Sequence, residues 1–184
     1  MKATGIVRRI DDLGRIVIPK EIRRTMRIRE GDPLEIYTDR EGEVIFKKYS
    51  PIGELTAFAA QYAETLHKTC DLAVVICDRD AVIACAGLPK RDFTDKPLSP
   101  ELEELISARS LYVAAGEKAA KVTAEGEEAF TVAYMMPIIT EGDIAGCVAT
   151  LRPAEEASVD LSRESTEAKL VATAAAFLGR QLES

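Results

Sequence analysis

The chain has 184 residues, of which 47% are hydrophobic and 30% charged, and its formal net charge at pH 7 is -7. This length and apolar content suit one ordinary domain, or a small domain joined to a medium one, and exclude a disordered chain. No run of 18 apolar residues occurs and the N-terminus leads straight into a charged segment, so we expect a soluble, cytoplasmic protein that neither spans a membrane nor is exported.

Charge is distributed unevenly along the chain. Residues 1–50 carry 12 basic and 9 acidic side chains, whereas residues 51–184 carry 12 basic and 22 acidic ones. Such asymmetry favours a first part that faces nucleic acid and a second part that does not, although a solvated basic face would give the same net charge.

Two short strands and a helix are predicted at the start of the chain. Residues 3–10 and 15–18 are rich in β-branched side chains, and Asp11-Asp12-Leu13-Gly14 between them suits a turn. Pro19 then starts a short helix. In this helix Ile22 and Met26 share an apolar side, while another face carries Lys20, Arg24 and Arg27.

A hairpin is predicted next, with strands at 34–37 and 44–48 around Asp39-Arg40-Glu41-Gly42. These elements make about 50 residues, which bury too little surface for a stable fold without a metal or disulfides. We therefore expect a partner copy, and a symmetric dimer would double the basic face presented to a DNA duplex.

Strand alternation restricts which arginines can face one ligand. Neighbouring residues of a strand point to opposite faces, so Arg8 and Arg9 cannot both contact it. Arg15 faces away from Ile16 and therefore points to solvent. The pattern leaves open whether Arg8 or Arg9 joins it.

The run GIVRRIDDLGRIVIPKEIRRTMRIREGDPLEIY, followed by GEVIFKKY, resembles the AbrB-type swapped-hairpin DNA-binding domain of bacterial transition-state regulators. The resemblance covers nearly all of residues 1–50. It implies an intertwined homodimer in which hairpins of both chains complete a small, β-rich barrel. It also implies that double-stranded DNA is contacted by Arg8, Arg15, Arg23 and Arg24, and so favours Arg8 over Arg9.

The remaining chain has the pattern of an α+β domain. A linker helix is predicted over residues 51–69, with an apolar stripe on one face, and a closing helix over 159–182. Between them we predict hairpins at 72–77 with 81–86 and at 130–139 with 144–151. Ser99-Pro100-Glu101 predicts a helix start, with the helix running through Ala108.

The segments LAVVICDRDAVIACAG and FTVAYMMPIITEGDIAGCVATLRP resemble hairpins of a GAF domain, which would span residues 70–184 with its C-terminal helix. With the junction from DPLEIY to KKYSPI and the terminal AAAFLGRQLE, the whole chain resembles transcriptional regulators that act in the forespore of sporulating bacteria, at the nucleoid. The helices at both ends of the second domain predict a homotetramer. Binding of a small-molecule effector and a purely assembling role remain equal alternatives.

Neither a metal site, a cofactor nor a catalytic residue is predicted. His67 and Cys70 cannot make a four-ligand site, and no nucleophile-and-base pattern occurs. Cys77 and Cys85 are placed to face each other across a hairpin, so oxidation stays open beside core packing. Two other functions remain as alternatives, an antitoxin that represses its own gene and a GAF-like methionine sulfoxide reductase.

Overall fold

The computed structural model describes residues 4–115, 120–125, 129–156, 162 and 165–183. The chain divides into two compact units, residues 1–49 and residues 50–184. Within the described ranges, none of the helices is both long and apolar enough to cross a membrane.

The first unit begins with an extended segment and a tight turn. The turn at Asp11–Gly14 forms as predicted: the Gly14 N–H donates to the Asp11 carbonyl at 3.0 Å, and the Asp11 N–H donates to the Arg15 carbonyl at 3.0 Å. The strands predicted at 3–10 and 15–18 are not formed over residues 4–18, and Ala3 lies outside the described residues. A strand needs a neighbour along its whole length, and within this part of one chain no such neighbour is present.

Helix α1 (Lys20–Thr25) follows Pro19, as predicted. It ends in a Schellman motif, in which the Ile28 N–H donates to the Arg23 carbonyl at 2.8 Å and the Arg27 N–H to the Arg24 carbonyl at 3.3 Å. Arg27 has a φ of 51° and lies beyond the helix. The prediction that Arg27 shares a helical face with Lys20 and Arg24 is therefore wrong.

The hairpin of the first unit is confirmed, with strands β1 (Leu34–Thr38) and β2 (Val44–Lys48). The two strands pair in antiparallel orientation, with Ile36 opposite Phe46. The Asp39 carboxylate closes the turn by accepting hydrogen bonds from the backbone N–H groups of Glu41 and Glu43, both at 2.9 Å. An aspartate at the start of such a loop replaces a backbone acceptor.

The first unit has almost no interior in a single chain. Among residues 4–49, Pro19 is the one buried residue. Large apolar side chains are instead exposed, with Val7 at 87% and Val17 at 72% of their full exposure. A unit of this kind gains little free energy from burial until a second surface covers it.

The second unit is a five-stranded antiparallel sheet with helices on both faces. The strands lie in the order β4-β3-β7-β6-β5. In chain order the elements are α2 (Pro51–Glu54), α3 (Thr56–Cys70), β3 (Ala73–Cys77), β4 (Val82–Ala86), α4 (Lys90–Phe93), α5 (Pro100–Ser107), β5 (Tyr112–Val113), β6 (Phe130–Thr140), β7 (Asp143–Pro153) and α6 (Thr166–Gln181).

Most of these elements agree with the sequence-based expectations. Both hairpins are confirmed, and Ser99 caps α5 as predicted, with its Oγ accepting from the Leu102 N–H at 3.0 Å. The helix over 51–69 is interrupted at Leu55. Helix α6 begins only at Thr166, after the Ser165 cap, while 159–161 and 163–164 of the predicted helix lie outside the described residues. Helix α4 and strand β5 were not predicted, because both are very short.

Each face of the sheet carries its own core. Helices α3 and α6 cover one face and bring small buried residues onto it, among them Ala59, Ala63, Ala174 and Ala175. Helix α5 and the segments near Phe93 and Val122 cover the other face. Small side chains let a helix backbone lie close to a sheet, so both helices are held by packing along much of their length.

Cys77 does not face Cys85. In the register of the sheet, Cys77 lies opposite Val82 on β4 and opposite Cys147 on β7, whereas Cys85 lies opposite Val75. The alternative in which Cys77 and Cys85 lie opposite each other is therefore wrong, and both residues are buried, as core packing predicts. A contact with the Cys147 thiol, together with complete burial, holds the pKa of Cys77 well above its ordinary value of 9.0.

Candidate nucleic-acid interface

Three basic side chains of α1 share one surface of the first unit. Lys20, Arg23 and Arg24 are exposed and line a shallow depression of about 390 Å³ together with Ile28. Glu21 lies in the first turn of the helix, and Arg23 and Arg24 lie in the last, an order that complements the helix dipole. The helix thus presents three cations on one exposed surface, and phosphate oxygens are common partners of such side chains.

The segment after α1 is fixed by an acidic residue that is almost inaccessible to solvent. The Asp32 side chain is 3% exposed and accepts a hydrogen bond from the Arg29 N–H at 2.8 Å. Lys48 of β2 lies 3.8 Å from the same carboxylate and donates to the Arg27 carbonyl at 2.9 Å. These bonds join the end of the helix to the hairpin, so the basic helix has a defined place within its unit.

Arg15 directly follows the tight turn and is held by Asp11. The Arg15 Nε donates to Asp11 Oδ2 at 2.8 Å, while its side chain remains 69% exposed. Arginine can fork onto a phosphate or onto the edge of guanine, and an exposed guanidinium is available for either contact.

The Asp11 carboxylate is ionised at neutral pH. The backbone N–H of Arg15 contributes most to this, followed by the Arg15 side chain, and together they lower the pKa of Asp11 below its ordinary value of 3.8. A depressed pKa means that the pairing is fully present above pH 3.8 and is lost as the pH falls below that value. The turn therefore keeps its charge pair over the physiological range.

Arg8 and Arg9 both lie in the extended segment and both are exposed. Neither of them lines the depression at α1, and neither is among the groups that shift the pKa of Asp11. Of the four arginines expected to contact DNA, Arg23 and Arg24 share one surface, while Arg15 and Arg8 lie on the preceding turn and segment.

Sequence reasoning missed the role of Asp11. The Asp and Gly of the pattern Asp-x-x-Gly-Arg predict a turn, but an aspartate four residues before an arginine can both close the turn and pair with the arginine side chain. The four-residue spacing between Asp11 and Arg15 was the sequence signal that could have identified this pair.

The second unit contains the single histidine and all four cysteines of the chain. Within the described residues no three His, Cys, Asp or Glu side chains are grouped to hold a metal ion. His67 has its Nδ1 3.0 Å from the Leu72 carbonyl and so takes part in a local backbone contact. Three of the four cysteines are buried, and Cys70 is exposed at the end of α3.

Comparisons with known proteins cover both units. The family described as stage V sporulation protein T C-terminal, transcription factor, matches residues 54–183. The family described as antidote-toxin recognition MazE, bacterial antitoxin, matches residues 7–53.

Two relatives from Bacillus subtilis (strain 168) are similar to this chain. Stage V sporulation protein T is 50% identical over 183 residues, which are 100% of this chain and 99% of that protein. The transition state regulatory protein AbrB is 63% identical over 51 residues, 28% of this chain and 52% of that protein. The first relative is similar over the whole chain, whereas the second is similar over about a quarter of it.

A solved structure has a fold similar to that of this chain over more than two thirds of its length. Residues 122 to 287 of a methyl-accepting chemotaxis protein align with a TM-score of 0.52 at 16% identity, covering 71% of this chain and 90% of that chain. At such low identity the likeness describes the fold alone.

Proposed function

Because the chain belongs to the stage V sporulation protein T family of transcription factors, we propose that it is a DNA-binding transcriptional regulator of sporulation, acting on forespore gene expression as activator or repressor at the nucleoid. The observation that carries the proposal is the group of exposed arginines on a basic unit whose apolar side chains are also exposed. The arginines suit a DNA duplex, and the apolar surface suits a second copy.

The first unit functions as a homodimer in this proposal. Its extended segment exposes Ile6, Val7 and Ile16, and its hairpin exposes Ile36 and Phe46. Strands at 3–10 and 15–18 would form when a partner chain supplies the neighbouring strand, as in a swapped-hairpin barrel. Dimerisation would place two copies of Arg8, Arg15, Arg23 and Arg24 on one duplex.

The salt dependence of DNA binding tests the proposal directly. With four arginines per chain on phosphates, a dimer would make up to about eight contacts, and the logarithm of the binding constant should fall with the logarithm of salt concentration at a slope near -7. Arginines that contact base edges reduce this slope. Fluorescence anisotropy of the full chain with labelled duplexes gives the value, and affinity that is absent or independent of salt would contradict the proposal.

The second unit joins dimers into a tetramer in this proposal. Phe58 and Tyr62 of α3 meet Phe177 of α6 at ring-centroid distances of 5.9 and 5.7 Å, and Phe177 remains 40% exposed. An aromatic cluster at the surface of two neighbouring helices is suited to packing against the same helices of a second copy. Linked dimers would bind neighbouring DNA sites with higher avidity.

Sedimentation of the full chain is expected to give a tetramer. Phe177→Glu should reduce it to a dimer because it places a charge in the helix contact. Ala124→Glu, at an exposed position of a loop, adds the same charge and should leave the tetramer intact. A wild-type chain that sediments only as a dimer would refute this part of the proposal.

The proposed function does not include a small-molecule effector. A cavity of about 590 Å³ in the second unit is lined by Arg91, Lys121 and Phe130 among others. The Arg91 side chain is 95% exposed, whereas small-molecule sites bury most of the ligand between preformed walls. The volume of the cavity suits a small molecule and its rim is open, so an effector-binding role and a purely assembling role of the second unit are equal alternatives.

The antitoxin alternative has one observation in its favour, the match of residues 7–53 to the MazE family. Antitoxins of this kind commonly recognise their toxin through a tail that folds on binding. Here the second unit has two cores of its own and matches a transcription-factor family over 54–183. The full-length similarity to stage V sporulation protein T outweighs the match of the first unit.

The enzyme alternative is not retained, since the family is one of transcription factors. A thiol-based reductase needs an accessible thiolate. Cys77, Cys85 and Cys147 are buried, and the pKa of Cys77 is raised by its contact with Cys147 and by burial, so the exposed Cys70 is the one accessible thiol.

A further inference from the structure

The Asp11 carboxylate makes three hydrogen bonds within its own turn. Oδ1 accepts from the Leu13 N–H at 3.0 Å and from the Arg15 N–H at 2.7 Å, and Oδ2 accepts from the Arg15 Nε at 2.8 Å. One side chain thus shapes the turn and also holds the backbone and the guanidinium of Arg15. This combination occurs at an exposed site, where aspartate and arginine could both be solvated instead.

We propose that Asp11 is a positioning residue for DNA recognition, which holds the Arg15 guanidinium by its Nε edge and leaves the Nη1 and Nη2 edge for the duplex. The inference rests on the proposed function. A guanidinium has five N–H donors, of which Asp11 engages the single one on Nε. The remaining four are those that form a bidentate fork on a phosphate or on guanine.

Preorganisation is the physical basis of the inference. A free arginine side chain has many rotamers and loses them when it binds. In this structure the bond from Nε to Asp11 restricts the rotamers of Arg15, and the bond from its backbone N–H to the same carboxylate fixes the backbone from which the side chain extends. Binding of DNA to a preformed side chain loses less entropy than binding to a mobile one.

If only its charge mattered, loss of the Asp11 carboxylate would change the affinity for DNA in the opposite direction. A negative charge near phosphates weakens binding, so its removal should strengthen affinity for every duplex. Asp12 is the neighbouring residue, is also exposed and carries the same charge. The hydrogen bonds of the turn distinguish the two residues, since it is Asp11 that bonds to Arg15. Asp12→Asn therefore measures the charge effect alone.

The experiment compares Asp11→Asn and Asp12→Asn in the full chain. The probes are a duplex selected from a random library by the wild-type protein and the unselected pool. Asp12→Asn is expected to bind the selected duplex at least as tightly as the wild type. Asp11→Asn is expected to bind it about tenfold more weakly than Asp12→Asn, since two copies of Arg15 per dimer become mobile.

A double-substitution cycle separates positioning from a general structural role. In the Arg15→Ala background, Asp11→Asn should cause no further loss of affinity, because the side chain that it positions is gone. Circular dichroism and sedimentation check that each variant is folded and assembled. If Asp11→Asn does not fold, Asp11→Ser replaces it, because a serine hydroxyl can still accept from the Leu13 N–H but is too short to hold the guanidinium.

The outcomes separate this inference from the proposed function. Equal affinities for Asp11→Asn and Asp12→Asn, or the same loss with and without Arg15, overturn the positioning role while DNA binding stands. Absence of DNA binding by the wild-type chain overturns both.

Discussion

Arg15→Ala is expected to weaken binding of the full chain to its selected duplex by at least about 30-fold. An arginine that contacts a base edge or phosphate contributes roughly 1–3 kcal/mol, and a dimer loses two copies. The side chain is 69% exposed and makes no contact with a core, so the protein should remain folded. Anisotropy titrations at fixed salt give the affinity, and thermal unfolding gives the stability.

Arg40→Ala is the matched control for this loss. Arg40 is exposed in the turn between β1 and β2 and carries the same charge in the same unit. Its removal should lower affinity only through the long-range field, which salt screens. Equal effects of Arg15→Ala and Arg40→Ala would show that net charge, and not a contact of Arg15, governs binding.

Gly146→Ala is expected to destabilise the second unit by about 3 kcal/mol or more. A Cβ atom at Gly146 would lie 1.9 Å from the carbonyl oxygen of Cys77. Both residues belong to central strands of the sheet, β7 and β3, so relief of the clash requires these strands to separate. Overpacking of a close-packed interior has effects of this size. Urea unfolding followed by circular dichroism measures the change.

Gly142→Ala is the control for backbone strain in the same hairpin. Gly142 has a φ of +86°, and a Cβ atom added there would meet no other atom within 4 Å, so alanine at this position is strained without a clash. Left-handed backbone disfavours alanine by roughly 1–2 kcal/mol. If the two substitutions destabilise the second unit equally, the close approach between β7 and β3 is not the reason that residue 146 is glycine.

Local patterns in the sequence predicted those elements whose cause is local. The short apolar runs on either side of Asp78–Asp80 and the turn residues around Gly142 predicted both hairpins of the second unit. Ser99 and Pro100 predicted the start of α5 because capping depends on a few consecutive residues. Helix α6 starts later than predicted, since apolar periodicity does not locate a helix terminus.

Contacts between distant segments could not be predicted in the same way. The opposition of Cys77 and Cys147 depends on the pairing of β3 with β7, two strands that are separated by most of the second unit. No short-range pattern specifies that register. The strands expected at 3–10 and 15–18 had the right composition, but a single chain does not supply the neighbour that they need.

The sequence predicted which residue types the candidate site contains, but not how their side chains are arranged. Basic side chains in a short helix were evident from the sequence, and Arg23 and Arg24 lie exposed on α1. The Schellman motif that removes Arg27 from the helix depends on a left-handed residue, which usually requires glycine and here is an arginine. The assignment of DNA contacts to Arg8, Arg15, Arg23 and Arg24 remains a prediction.

Because the first unit buries few residues, its proposed dimerisation would make DNA binding depend on the concentration of the protein. With Pro19 as the one buried residue among 4–49, this unit gains little stability from burial in a single chain, and in the proposed dimer its folding would be coupled to association. The population of folded first units then rises with the square of chain concentration at low abundance. A modest increase in synthesis would then give a steep rise in occupied DNA sites, so dimerisation of this kind would set a threshold for DNA binding.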